Sequence, residues 1–181
     1  MKSSAHESRD EMTDRVLIIG YGNPLRCDDG IAWRVAEEIR RTNSTATTLC
    51  VHQLTPELAE DASRAGTIIF IDAARSGAPG EVRCNAVYAD RAAQAFSHNL
   101  EPDQLLSICQ QLYAAKPCGF LVSIGGQCFD HGETLSSSVT AAIPRAVAMV
   151  KQISAGRVSL RPPIAFGHDQ FKCCGEVIFP E

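Results

Sequence analysis

No apolar stretch in this chain approaches the ~18–20 residues of a membrane span, which leaves no membrane role to read. Basic residues are also too few for a nucleic-acid binder. Lys and Arg total 17 against 21 Asp and Glu, for a formal net charge of -4, whereas such proteins are usually basic. No Cys-x-x-Cys pair occurs among the eight cysteines, so a closed zinc site has no ligand framework. Two protease signatures are missing as well. His-Glu-x-x-His would mark a zincin, and Gly-x-Ser-x-Gly a serine nucleophile elbow. Finally, the polar opening MKSSAHESRDEMTD lacks the apolar stretch of a secretory signal. It reads as a disordered lead-in over residues 1–14, and its composition predicts a cytoplasmic protein. There the cysteines serve as reduced thiols and core fillers rather than as a disulfide framework.

What remains is 181 residues, 45% hydrophobic and 21% charged, enough for one domain with a sizeable core. Apolar runs predict strands over 15–20, 47–53, 67–72, 81–87 and 118–124. Periodic stretches predict helices over 28–42, 55–64, 100–113 and 135–153, with Pro144 kinking or interrupting the last. Thr55 and Pro56 have the order of an N-cap and first helical residue. Alternating strands and helices predict an α/β three-layer sandwich with a twisted, mostly parallel five-stranded sheet between helices. The domain spans 15–155, and 156–181 reads as a C-terminal extension, loop or docked.

In such sheets ligands bind at the carboxyl ends of the strands. The first strand leads into GYGNPLRCDDG (Gly20–Gly30), the third ends on Asp72, and Ser97-His98-Asn99 precedes a helix. A dinucleotide fingerprint would need a third glycine at position 25, where Leu25 stands, and an acid after the second strand, where His52-Gln53 stands. A cation fits better. Asp29, Asp72 and His98 offer two carboxylates and an imidazole, mixed ligation suited to nickel or zinc. Three protein ligands would leave room for a substrate. Each residue also has a plainer reading: Asp29 as a helix cap, Asp72 as a strand-end carboxylate bonded to amides, His98 as a surface histidine. Their shared position at one sheet edge favours a site.

GNPLRCDDG after a hydrophobic strand resembles the signature of the hydrogenase maturation proteases. IIFIDAARSGAPGEV (Ile68–Val82), SHNLEPDQLLSICQQL (Ser97–Leu112) and GQCFDHGETLSSSV (Gly126–Val139) resemble later segments of that family in the same order. The likeness runs from about Arg15 to Ile153. It implies an α/β fold and an endopeptidase that removes a C-terminal extension from the large-subunit precursor of a nickel–iron hydrogenase. Nickel already carried by the precursor would act as the recognition tag. The family's three metal-contacting positions fall on Asp29, Asp72 and His98. Position 29 is Asp where some members have Glu, and Cys27 sits within the signature loop. His168 and the adjacent Cys173-Cys174 take no role from the resemblance.

For cleavage, the residues leave three routes open. The metal can polarise the carbonyl or a water, Asp29 or Asp72 can act as general base on water, in the manner of an aspartyl protease, or Cys27 can attack if a base supplies its thiolate. The expected partner is the hydrogenase precursor, met by a monomer, with no nucleic acid and no membrane. The competing reading is a non-proteolytic nickel-binding chaperone or sensor of the same fold.

Overall fold

A computed structural model describes residues 15–42, 46–89, 100–160 and 174–178. The expected lead-in, His98, His168 and Cys173 lie outside these. The elements in chain order are β1 (Val16–Tyr21), a 3-10 turn (Cys27–Gly30), α1 (Ile31–Arg41), β2 (Thr47–Val51), α2 (Leu58–Ser63), β3 (Thr67–Ala74) and β4 (Val82–Val87). Then follow α3 (Pro102–Tyr113), β5 (Cys118–Gly125), α4 (Ser137–Ser154), β6 (Ser159–Leu160) and β7 (Cys174–Ile178). No described helix is long and apolar enough to cross a membrane.

The sheet order is β2-β1-β3-β5-β4-β7-β6. The first four of these strands are mutually parallel, and β4 turns antiparallel against β5. All five expected strands form. Two more extend the same sheet from the segment expected to be a loop or docked extension. There β7 pairs antiparallel with β4, Ala86 opposite Gly175, and β6 pairs with β7.

Both faces of the sheet are covered, which is why its central strands read as continuous apolar runs rather than alternating ones. Side chains point alternately up and down along a strand. Ile18, Ile69 and Ile71 therefore face one core, shared with Ile31 and Val35 of α1 and Val139 and Val147 of α4. Leu17, Ile19, Ile68 and Phe70 face the other, with Ala59 and Ala62 of α2 and Leu105 and Cys109 of α3.

Three local expectations shift. α2 begins at Leu58, because Thr55–Glu57 form a turn in which Leu58 N–H donates to the Thr55 carbonyl at 3.1 Å. α1 is preceded by the 3-10 turn that holds both acids of the signature. α4 continues through Pro144 as one element. An interior proline costs about 3 kcal/mol. Buried Val139 and Ala142 before it, and Ala146, Val147 and Val150 after it, pack both halves onto the sheet and offset that cost.

Candidate active site at the carboxyl edge of the sheet

The loop after β1 begins with a sharp turn. Gly22 has φ +138°, and a Cβ there would collide with the carbonyl oxygen of Asp29, so the chain folds back on its own acid pair only with glycine. The loop is pinned from β2 as well. Trp33 Nε1 donates to the carbonyls of Gly22 at 3.0 Å and Val51 at 3.3 Å. Asn23 organises the loop in two ways. Its amide donates to Asp29 Oδ2 at 2.7 Å, and its side-chain oxygen accepts from the Leu25 amide at 3.0 Å. Both bonds tie Asn23 into the loop itself.

The two adjacent acids part company. Asp28 is 0% exposed and points into the segment before α4. It accepts from the amides of Gln127 at 2.8 Å, Cys128 at 2.9 Å and Ser136 at 2.7 Å, and from the Ser136 hydroxyl at 2.9 Å. Burial pushes this carboxyl up. The donors of Ser136, Cys128 and Gln127 outweigh it and hold the group below its ordinary value. Asp28 is therefore a structural anchor. Asp29 stays half-buried, its Oδ2 taken up by the Asn23 amide rather than by the segment before α4.

Asp72 lies inside β3, which continues two residues past it because Asp72, Ala73 and Ala74 pair with Ser123, Ile124 and Gly125 of β5. Its Oδ1 accepts from the Ala73 amide at 2.8 Å, and the Tyr21 hydroxyl also bonds it. Burial is the main cause that lifts its pKa to about 7. The two hydrogen bonds pull it back, while the nearby charges of Asp29 and Glu101 add to the rise. Tyr21 is raised too, first by burial and then by Asp72 and Glu101. This edge therefore holds one carboxyl whose pKa is lifted towards neutrality, beside a tyrosine hydroxyl that stays protonated, a pattern suited to proton transfer.

Asp29 and Asp72 thus share one sheet edge, as their positions in the sequence suggest. His98 lies outside the described residues. Among the described residues no three His, Cys, Asp or Glu side chains are grouped so as to hold a metal ion. Sequence reasoning missed Tyr21 and Glu101. The signal for Tyr21 was its position as the last residue of β1, between two glycines. Glu101 precedes Pro102 and forms a capping box with Gln104, whose Oε1 accepts from the Glu101 amide at 2.9 Å. That arrangement fixes the start of α3 near Asp72. A cleft of about 450 Å³ borders the signature loop, lined among others by Pro24, Leu25, Cys27, Trp33 and Leu135. His52, after β2, packs edge-on against Trp33 with ring centroids 5.5 Å apart.

No protein-family model matches the chain, and no curated protein matches it. Solved structures do. The hydrogenase maturating endopeptidase HybD from Escherichia coli superposes with a TM-score of 0.64 at 22% identity, covering 78% of this chain and 94% of that one. The [NiFe] hydrogenase maturation protease HybD from Thermococcus kodakarensis gives 0.59 at 24% identity, covering 77% and 99%. A hydrogenase 2 maturation peptidase from a Thaumarchaeota archaeon gives 0.59 at 22%, covering 77% and 97%. The chain has the fold of these hydrogenase maturation endopeptidases across nearly their whole length.

Proposed function

We propose that this protein is an endopeptidase that removes a C-terminal extension from the nickel-loaded large-subunit precursor of a nickel–iron hydrogenase. The observation that carries the reading is the pairing of Asp29 with Asp72 at the carboxyl edge of this particular fold. In this reading Asp29, Asp72 and His98 contact the nickel that the precursor brings, so the metal is part of the substrate. The contribution of His98 rests on the resemblance of its segment to the family. Free thiols at Cys27, Cys50, Cys84, Cys109, Cys118 and Cys128 suit a reducing compartment, and we place the protein in the cytoplasm as a monomer.

The chain's own residues supply a reacting environment for the peptide. Among the described residues the Asp29 carboxylate accepts from one donor, the Asn23 amide, which leaves lone pairs there for a metal or a water. Asp72 can take or give a proton near neutral pH, and the Tyr21 hydroxyl orients it. Either carboxylate is placed to act as general base on water, or both can hold the nickel while it polarises the scissile carbonyl.

The test is the intact mass of a precursor incubated with the protein, with nickel-loaded and metal-free precursor run side by side. Loss of a C-terminal peptide from the loaded form alone is expected. Asp29→Asn should slow that loss by about a hundredfold or more. An unchanged mass with a verified cognate precursor would defeat the peptidase reading and leave a nickel-binding chaperone or sensor.

A further inference from the structure

The loop that carries Asp29 also carries a thiol, and the structure gives that thiol a partner. Cys27 and Cys128 are 101 positions apart in the chain, yet backbone hydrogen bonds bring the two residues side by side, with Cys128 Sγ also 4.0 Å from Asp130 Oδ2. Both are half-buried, so small solutes can reach them. The contact is held by the backbone on both sides. Cys27 N–H donates to the Gly132 carbonyl at 2.6 Å, and Asp28 N–H donates to the Cys128 carbonyl at 3.0 Å. The buried Asp28 carboxylate closes the arrangement by accepting from the Cys128 amide at 2.9 Å. Cys27 itself has φ +44°, a conformation that residues with a Cβ rarely adopt. Gly132 leaves space for its sulfur, since a Cβ at Gly132 would stand 3.0 Å from Cys27 Sγ.

We propose that Cys27 and Cys128 form a reversible dithiol–disulfide site that reacts with small disulfides of the oxidised-glutathione class. The thiolate of Cys27 attacks one sulfur of oxidised glutathione and releases one glutathione thiolate. The thiolate of Cys128 then attacks the mixed disulfide at the Cys27 sulfur and releases the second. Two protein thiols lose two protons and two electrons, and one glutathione disulfide becomes two glutathione thiols. Both residues are free thiols in the structure, and the pair closes when the pool of small disulfides rises. Closure joins the signature loop covalently to the segment before α4, along the route that Asp28 already bridges by hydrogen bonds.

The site is tested without reference to the proposed cleavage. The native full-length protein is incubated with oxidised glutathione at about pH 8.5, where thiolates are available. Remaining thiols are then alkylated, and non-reduced peptides are mapped by mass spectrometry. A Cys27–Cys128 peptide is expected as the dominant link, lost on dithiothreitol treatment, while exposed Cys118 stops at its glutathione adduct. In Cys128→Ser, Cys27 should also stop at the adduct, which traps the intermediate. In chain unfolded by urea beforehand, the link should fall to the level of any other pairing. Recovery of wild-type Cys27 and Cys128 as two separate thiols or two separate adducts, with Cys118 fully modified, overturns the proposal. An equal yield of the link in urea overturns it too.

Discussion

Asp28 and Asp72 occupy the same edge of the same sheet, and both are withdrawn from water, yet their chemistry diverges. Asp28 meets three amides and a hydroxyl, and its charge is held more firmly than in solution. Asp72 meets one amide and a tyrosine, with two acids beside it, and its pKa rises to about 7. Burial penalises a carboxylate in both places. The number of donors and the sign of the neighbouring charges decide whether the group becomes an anchor or a proton-exchanging site.

Removing the donors' acceptor should have the largest effect. Asp28→Asn turns an amide NH₂ towards groups that already donate, and leaves buried N–H groups unpaired. A loss of about 2–4 kcal/mol is expected in urea unfolding. A loss below about 0.5 kcal/mol would remove Asp28 as the anchor of the loop. The anchor also has an acid limit. A folded pKa below the unfolded 3.8 means its contribution is complete above that value and fades as pH falls through the folded one.

The opposite sign is expected at Asp72. Its folded pKa near 7 lies above the unfolded 3.8, so ionisation opposes folding progressively from about pH 4 to 7 and then levels off. Asp72→Asn should therefore be more stable than wild type at pH 8, by about 1–2 kcal/mol. The gap should close below about pH 4. Equal stability at both pH values would show that Asp72 is solvated like an ordinary surface acid. This variant should gain stability while losing cleavage, which separates it from Asp28→Asn.

Tyr21→Phe is the smallest and sharpest change. The hydroxyl lowers the Asp72 pKa, so its loss should move that group further above 7, for a cost of about 1 kcal/mol in stabilisation of the anion. A carboxyl-carbon NMR titration reads the shift directly. An unmoved Asp72 titration would mean that the tyrosine is a packing residue alone.

The scaffold was largely legible in the sequence, because β1 and β3 are buried on both faces and show as VLIIGY and TIIFIDAA. The acid pair was legible as a site, but its division of labour was not. Asp28 and Asp29 are neighbours of the same residue type, and what separates them is a set of donors 99 to 108 residues away. Tyr21 escaped notice for a related reason. A tyrosine at a strand end looks like core until the carboxyl across the adjacent strand is placed. The strand β7 is five residues with a glycine inside it, too short and weak a pattern to stand out before its partner β4 is known.

The bond from Asp28 to residues 127–136 also sets an order of events. During vectorial synthesis the signature loop leaves the ribosome about a hundred residues before the amides that fix it. Contacts of such long range close late in folding. Asp29 consequently reaches its final position only once β5 and the start of α4 have joined the sheet. A half-made chain carries the acids without the geometry, so the reacting edge is withheld until the rest of the molecule is complete.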